Sequence, residues 1–350
     1  MKLLVSIGHP AHVHVFKHLI WNMKNRGHEI KIVARNKDVS KKLLDVYGFD
    51  YTLISDAQSG TCRLAIEMMV RVKRLLPIVW NFNPDIVLSL LDPSVAVVTK
   101  IMRKTYISLH DTEHAKLVNI TVPFTDVIFT PSCFKRDLGK KQIRYNGYHE
   151  IAYLHPNYFT PNPAVLDEMG LRKDDKFIIL RFVSWGASHD VGQHGIQNKK
   201  ALVKELEKYG RVLITSEGLL DKELEKYMIK VSPEKIHDLL YYAALYLGEG
   251  ATMATESAIL GTPSIYVSSL VGNMGNFVEL EQKYGLIFNY NDSNGTINKA
   301  IELMQKPDLK NEWKNKREAL LKDKIDVTAF MVDFIEKYPE NSNDILKTYS

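Results

Sequence analysis

Four polar clusters in this chain each follow an apolar run, and each carries groups that can move a proton or hold an anion. The first is Gly8-His9-Pro10-Ala11-His12-Val13-His14. A neutral imidazole titrates near pH 6.5, so His9, His12 or His14 can act as a general base or bind a substrate hydroxyl. As a metal set they are poor: the i, i+3, i+5 spacing does not make one helix face, and no nearby carboxylate completes it. Surface histidines without a task would give the same pattern. The second cluster is His110-Asp111-Thr112-Glu113-His114. Asp111 and Glu113 look at first like an Asp-x-Asp motif for Mg²⁺ or Mn²⁺. With His110 and His114 beside them they are equally material for acid/base work, or for a hydrogen-bonded wall.

The third cluster begins inside an apolar run. Arg181 interrupts residues 177–183, and a buried arginine is costly unless paired. With Ser184 and backbone N–H groups it can hold phosphates, while Trp185 offers a face for a base or sugar. Ser216 and Glu217 end the next apolar run in the same plane. The alternative is that Arg181 pairs with an acidic residue of its own domain. The fourth cluster is Gly248-Glu249-Gly250-Ala251-Thr252-Met253, followed by Glu256. A strand, a glycine turn and a helix N-terminus make an anion site, because free N–H groups and the helix dipole point over the turn. Glycines at 248 and 250 let a ligand approach the backbone. Glu256, one turn into the helix, can accept hydrogen bonds from two ribose hydroxyls.

These clusters need a scaffold that brings strand ends together. Apolar runs at 2–7, 29–34, 51–54, 86–90, 106–109, 127–130 and 143–145 read as strands. Helical spacing separates them, as at Val15, Phe16, Leu19, Ile20 and Met23, with Gly27 closing that helix. Residues 64–80 form a long helical pattern carrying Arg63, Arg71, Lys73 and Arg74 at and after its start, which Pro77 is expected to kink or end. Three prolines in 155–163 mark a linker. Beyond it the rhythm restarts, with strands at 177–183, 212–215, 245–247, 264–267 and 286–288. Strands alternating with helices imply parallel sheets covered on both faces. The expected chain is therefore an α/β protein of two Rossmann-like, doubly wound halves. Residues 1–154 form one, 164–325 the other, and a helix within 326–350 returns to the first. Such halves turn their strand-end loops into a cleft.

Composition narrows the function. The chain has 350 residues, 45% hydrophobic and 25% charged, which suits two globular domains without a staple. Cys62 and Cys133 are the only cysteines, which suits a reducing cytoplasm better than a disulfide scaffold. The first apolar run stops at Gly8, too early for a secretory leader, and no window has the roughly 18 apolar residues of a membrane span. The net charge of +5 is mild, and no basic stripe with interleaved aromatics speaks for nucleic acid. Peripheral contact with an anionic membrane face stays open.

Several stretches resemble known families. Residues 248–263, closing on Leu260-Gly261-Thr262-Pro263, resemble the donor-nucleotide motif of GT-B glycosyltransferases and of non-hydrolysing UDP-N-acetylglucosamine 2-epimerases. There a glutamate at the place of Glu256 holds the nucleotide ribose. His14-Val15-Phe16-Lys17-His18-Leu19 resembles the first loop of lipid-linked N-acetylglucosaminyl transferases, without that loop's extra glycines and proline. The likeness implies a catalytic role for His14 or His12. The Asp111–Ala115 stretch is similar to a His-x-Glu loop of the 2-epimerases. Together with Pro10-Ala11-His12-Val13-His14 and Phe182-Val183-Ser184-Trp185, these marks resemble a family of archaeal and bacterial GT-B-like proteins known as a domain of unknown function. The resemblance runs from residue 1 to about 335.

It implies a GT-B fold and, by analogy, a glycosyltransferase taking a nucleotide sugar, UDP-linked, as co-substrate, with no metal and no other cofactor. In that reading His14 or His12 deprotonates the acceptor, and Asp111 and Glu113 are further catalytic candidates. His9 and His114 would contact a glycan or lipid-linked acceptor. Arg181, Ser184, Trp185, Ser216, Glu217, Gly248, Glu249, Gly250, Thr252, Met253 and Glu256 hold the donor. A sugar-nucleotide 2-epimerase using Asp111 and Glu113, and a non-catalytic sugar-nucleotide binder, are the rival readings.

Overall fold

The computed structural model describes residues 1–115, 117–183, 196, 198–269, 271–293 and 295–340. The chain divides into two compact units: Met1–Tyr158 with the chain from Lys324, and Phe159–Asp323.

The first unit holds seven parallel strands: β1 (Lys2–Ile7), β2 (Glu29–Asn36), β3 (Tyr51–Asp56), β4 (Ile86–Leu90), β5 (Thr105–Leu109), β6 (Val127–Pro131) and β7 (Gln142–Tyr145). Their order is β3-β2-β1-β4-β5-β6-β7. Helices α1 (Pro10–Asn25) and α2 (Ser40–Val46) carry the chain from β1 toward the β3 edge. Helices α3 (Thr61–Phe82), α4 (Pro93–Met102) and α5 (Val118–Thr121) carry it back across toward β6, and α6 (Ile151–Leu154) follows β7. Right-handed crossovers in opposite directions put α1 and α2 on one face and α3 to α5 on the other. The direction reverses between β1 and β4. Loops leaving those two strands diverge and open a crevice at their C-terminal ends.

Helix α3 does not end at Pro77. A proline inside a helix removes one backbone bond. Here Leu75 and Val79 lie fully buried in a core with Leu4, Val87 and Tyr106, and this packing carries the helix on to Phe82. The last helix, Val327–Lys337, packs in this unit. Phe330 and Phe334 meet Phe129 edge-on, and the Thr328 hydroxyl donates to the Ala152 carbonyl at 2.7 Å.

The second unit holds β8 (Phe177–Phe182), β9 (Arg211–Ser216), β10 (Leu245–Gly248), β11 (Ser264–Val267) and β12 (Ile287–Tyr290), all parallel, in the order β12-β11-β10-β8-β9. Here the direction reverses between β8 and β10, as in flavodoxin-like sheets. Its helices are α7 (Ala164–Glu168), α8 (Lys199–Leu206), α9 (Ile236–Tyr242), α10 (Ala251–Leu260), α11 (Gly275–Gln282), α12 (Thr296–Gln305) and α13 (Leu309–Asp323); the last helix of the chain is then α14. Gly261 ends α10 in the left-handed region at φ 81°, where its N–H closes back on the Ser257 and Ala258 carbonyls. Among the described residues no helix is long and apolar enough to cross a membrane.

Candidate functional site

In the first unit the β1–β4 crevice is lined by the histidine loop. His9 caps α1, its Nδ1 accepting from the Ala11 N–H at 3.2 Å. His12 Nδ1 accepts from the Gly8 N–H, also at 3.2 Å. Each bond occupies the Nδ1 lone pair, so the neutral ring carries its proton on Nε2. Part of the His12 surface reaches solvent, yet the protein around it is dense. Burial first, then the charges of His9, His149, Lys37 and Arg71, hold it well below the usual histidine range. His12 therefore presents an N–H donor to the crevice, where a base needs a lone pair.

His14 sits elsewhere. Two residues along a helix is a turn of about 200°, so His12 and His14 face opposite sides of α1. His14 is buried; its Nδ1 lies 3.4 Å from the Tyr47 hydroxyl, and the rings of Tyr47 and Tyr153 lie 6.0 and 5.3 Å away. The structure does not bring it to the crevice. Asp92, at the end of β4, makes the floor: Oδ1 caps α4 by accepting from the Ser94 N–H, and Oδ2 pairs with Arg71 from α3.

At the end of β5 the second cluster separates. Glu113 turns aside, its Oε1 accepting from the Lys135 N–H at 3.1 Å. His114 is exposed. Asp111 faces His149, with Oδ2 3.1 Å from Nδ1, and its Oδ1 accepts from the Thr112 hydroxyl. Burial alone would raise the Asp111 carboxyl. The His149 charge, their hydrogen bond and His110 outweigh that and hold it well below the usual carboxylate range. A carboxylate on Nδ1 fixes the imidazole with its lone pair on Nε2, the orientation a general base needs.

Three buried polar atoms around this pair have no hydrogen-bond partner among the described residues: His149 Nε2, His110 Nε2 and the Tyr145 hydroxyl. The Tyr145 ring stacks on His149 at 6.3 Å, and burial pushes its hydroxyl well above the ordinary tyrosine range. Burial likewise pushes His110 down to about 4. Orphaned buried polar atoms are rare enough to need an explanation, and a bound polar ligand or ordered water supplies one. Sequence reasoning missed His149 and Tyr145. The signal was Gly147-Tyr148-His149-Glu150, a further strand-end loop in the same plane, which has no second glycine to draw attention to it.

In the second unit the reversal between β8 and β10 gathers Arg181, Glu217 and the start of α10. Arg181 Nη2 donates to Glu217 Oε1 at 2.6 Å, so these two expected donor-site residues pair with each other. The Ser216 hydroxyl donates to the Gly218 carbonyl. Among the described residues no side chain caps α10 at Gly250, and its first-turn residues Ala251, Thr252 and Met253 are partly exposed. The glycines have a reason inside the unit. A Cβ on Gly248 would lie 2.6 Å from Arg181 Cβ and 2.7 Å from the Tyr246 hydroxyl, and one on Gly250 would lie 2.9 Å from Arg181 Cγ. It is Arg181 that passes closely over this backbone.

Two glutamates of the stretch are buried within the unit. Glu249 accepts from the Val183 N–H at 2.9 Å and the Ile196 N–H at 2.5 Å, so one carboxylate ties the end of β8 to Ile196. Glu256 is 3% exposed, and its Oε1 lies 2.9 Å from His237 Nε2 on α9. Ser184 and Trp185 lie outside the described residues. A cavity of about 640 Å³ opens beside Arg211, Lys226 and Lys230 at the start of β9, the strand end opposite Arg181, and gathers none of the expected residues. Among the described residues no group of three or more His, Cys, Asp and Glu is placed to hold a metal ion.

Two parallel-sheet α/β units, each with its polar loops at a sheet reversal, define a protein of GT-B type. The comparisons agree. The chain belongs to the family described as Protein of unknown function (DUF354), which matches residues 1–340. It is 25% identical over 331 residues to an uncharacterized protein of Methanocaldococcus jannaschii, covering 88% of this chain and 96% of that one. Among solved structures it is similar in fold to the UDP-GlcNAc 2-epimerase of M. jannaschii, with a TM-score of 0.65 and 16% identity over 97% of this chain and 100% of that one. It is also similar to S. aureus MnaA in its co-structure with UDP, with a TM-score of 0.66 and 12% identity over 97% of each chain. The glycosyltransferase SsfS6 of a Streptomyces species gives a TM-score of 0.60 and 13% identity, covering 96% and 99%.

Proposed function

We propose that this protein is a glycosyltransferase that takes its sugar from a nucleotide sugar, UDP-linked, and passes it to a hydroxyl of a glycan or lipid-linked acceptor in surface polysaccharide or glycoconjugate synthesis on the cytoplasmic side. The observation that carries this reading is the Asp111–His149 pair with its buried, unpartnered Nε2. His149 takes the acceptor proton through Nε2 as the hydroxyl attacks the sugar's anomeric carbon, and Asp111 steadies the resulting imidazolium. His12, a neutral N–H donor, orients the acceptor. In the second unit the uncapped start of α10 and Arg181 bind the diphosphate and stabilise it as it departs. Binding then requires Arg181 to loosen from Glu217.

MnaA with bound UDP, a protein of the same fold, supports the choice of UDP. The experiment has two stages. A thermal-shift panel of nucleotides and nucleotide sugars finds the donor, since a ligand of the native state raises its stability with concentration. The chosen donor is then incubated in D₂O without acceptor. Slow donor hydrolysis without exchange at C2 supports transfer. Exchange at C2 replaces this reading with epimerisation, to which the same Asp111–His149 base would be suited. Binding without either reaction replaces it with a sugar-nucleotide binder.

A further inference from the structure

The outward face of α3 is unlike the outer face of most helices that cover a sheet. Ile66, Met69, Lys73, Pro77 and Trp80 recur at i, i+3, i+7, i+11 and i+14, one stripe along the helix. The stripe looks away from the core. Ile66 is 56% exposed, Met69 64% and Trp80 74%. The helix has 22 residues, so the stripe lies along a rod about 33 Å long. Apolar exposure continues onto the neighbours on the same sheet face: Ile101 beyond α4's packed side, then Leu117 and Ile120 at α5. Exposed apolar side chains gathered on one helix-covered face in this way mark a surface with a partner.

The charges on this face are of one sign. Residues 61–82, 93–104 and 117–124 hold seven lysines and arginines and a single acidic residue, Glu67. Glu67 is buried, and Arg35 holds it at 2.5 Å. Arg71 turns inward to Asp92. What remains outward is Arg63, Lys73, Arg74, Lys100 and Arg103, interleaved with the apolar band, and no exposed carboxylate among them.

We propose that this face docks the protein on an anionic lipid surface. Aliphatic side chains and an exposed tryptophan enter the boundary between headgroups and acyl chains, and the cations meet the lipid phosphates. Two other occupants fit less well. A second copy would use the same patch on both sides of a two-fold axis, setting cations against cations. A nucleic acid would leave Ile66, Met69 and Ile120 without a contact. The inference is independent of the reaction assigned above. Docking on α3 would keep the β1–β4 crevice close to the lipid, since Arg71 of this helix reaches the crevice floor at Asp92.

The test uses the full chain and vesicles of phosphatidylcholine with or without phosphatidylglycerol. Co-sedimentation is expected only with phosphatidylglycerol, weakening as salt rises. Tryptophan emission should shift to the blue on binding, and Trp80→Phe should abolish most of that shift. The double variant I66E/M69E changes exposed positions, so its apo melt should match the parent's while its vesicle partition falls at least tenfold. No vesicle binding, or equal binding by I66E/M69E, overturns the proposal. So does light scattering that finds a dimer which I66E/M69E dissociates, since the face would then belong to a second copy.

Discussion

Asp111 Oδ2 stands 3.1 Å from His149 Nδ1, across 38 residues of sequence, while His149 Nε2 is buried with no partner among the described residues. The bond settles which nitrogen of His149 keeps its lone pair. Asp111→Asn would offer Nδ1 either a carbonyl or an amide, and the amide would turn the lone pair the wrong way. His149→Gln removes the base altogether. General bases contribute typically 10²–10⁴-fold. With the donor that the thermal-shift panel identifies, both variants should lose kcat by about 10² or more and keep donor affinity within a few-fold. His14→Gln should lower the melting temperature, since it loosens packing against Tyr47 and Tyr153, and leave kcat within a few-fold. Loss of turnover in His14→Gln with normal turnover in His149→Gln would return the base to the histidine loop.

Glu256 tests a second assignment. Its carboxylate is buried against His237, and Phe159 meets that imidazole edge-on at 6.4 Å. Breaking a buried pair by removing one partner costs about 3–5 kcal/mol, less where the replacement can still hydrogen-bond. Glu256→Gln should therefore lower the apo melting temperature by several degrees and leave UDP affinity within about twofold. Calorimetric titration beside an apo melt measures both. A tenfold loss of UDP affinity at an unchanged melt would make Glu256 a ribose ligand, as its place in the helix suggested.

The contrast shows what the chain made legible. Apolar runs, left-handed glycine closes and helical spacing were enough for both sheets, because burial on two faces leaves the central strands few polar positions to confuse the pattern. Strand-end loops were equally visible, which is why Asp111, His12 and Arg181 were picked out. The hidden part was direction. Whether His12 offers a proton or a lone pair depends on the Gly8 N–H, and whether Glu256 faces a ligand depends on His237 from another helix. Neither follows from spacing along one element.

Metal dependence follows from the same geometry. Asp111 and Glu113, two residues apart, turn to different partners: His149 for one, the Lys135 N–H for the other. As they stand they do not converge on one ion. Turnover should survive a chelator. Loss in EDTA with rescue by Mn²⁺ would show that substrate binding re-aims these carboxylates onto a metal.

Stability should depend on pH with a definite sign. Burial, the chief cause in each case, pushes His18 and His110 down to about 4 and holds His12 well below its ordinary range. In the unfolded chain these imidazoles titrate near 6.5. Between pH 6.5 and 4 the unfolded state therefore binds protons that the folded state refuses, and stability falls as pH falls. For His110 the slope is up to about 1.4 kcal/mol per pH unit, and partly exposed His18 adds less. Asp111 adds to acid sensitivity: its depressed carboxyl stabilises the fold above the unfolded pKa, and the gain is lost as pH falls through its low folded value. Melts at intervals from pH 7 to 4.5 should decline steadily, and His110→Asn should flatten the decline. A flat profile in the parent protein would contradict burial of neutral imidazoles.

The glycines at the start of α10 yield a prediction about Arg181. A ligand explanation and a packing explanation for Gly248 and Gly250 differ in what rescues them. On Gly250 a new Cβ meets Arg181 Cγ at 2.9 Å, the inner part of a flexible side chain. On Gly248 it meets Arg181 Cβ at 2.6 Å, the Tyr246 hydroxyl at 2.7 Å and the Arg181 carbonyl at 2.9 Å. Overpacking of this kind costs typically 1–3 kcal/mol. Gly250→Ala should lower stability mildly, and Arg181→Ala, which removes Cγ, should suppress most of that loss in the double variant. Gly248→Ala should cost more, and Arg181→Ala should not suppress it, because alanine keeps the Cβ and the carbonyl. Chemical denaturation of the three single and two double variants gives the coupling energies directly. Coupling in the 250–181 pair and little in the 248–181 pair is the expected result. If both glycine variants fold with parental stability but lose UDP binding, the glycines serve the ligand and Arg181 only lies near them.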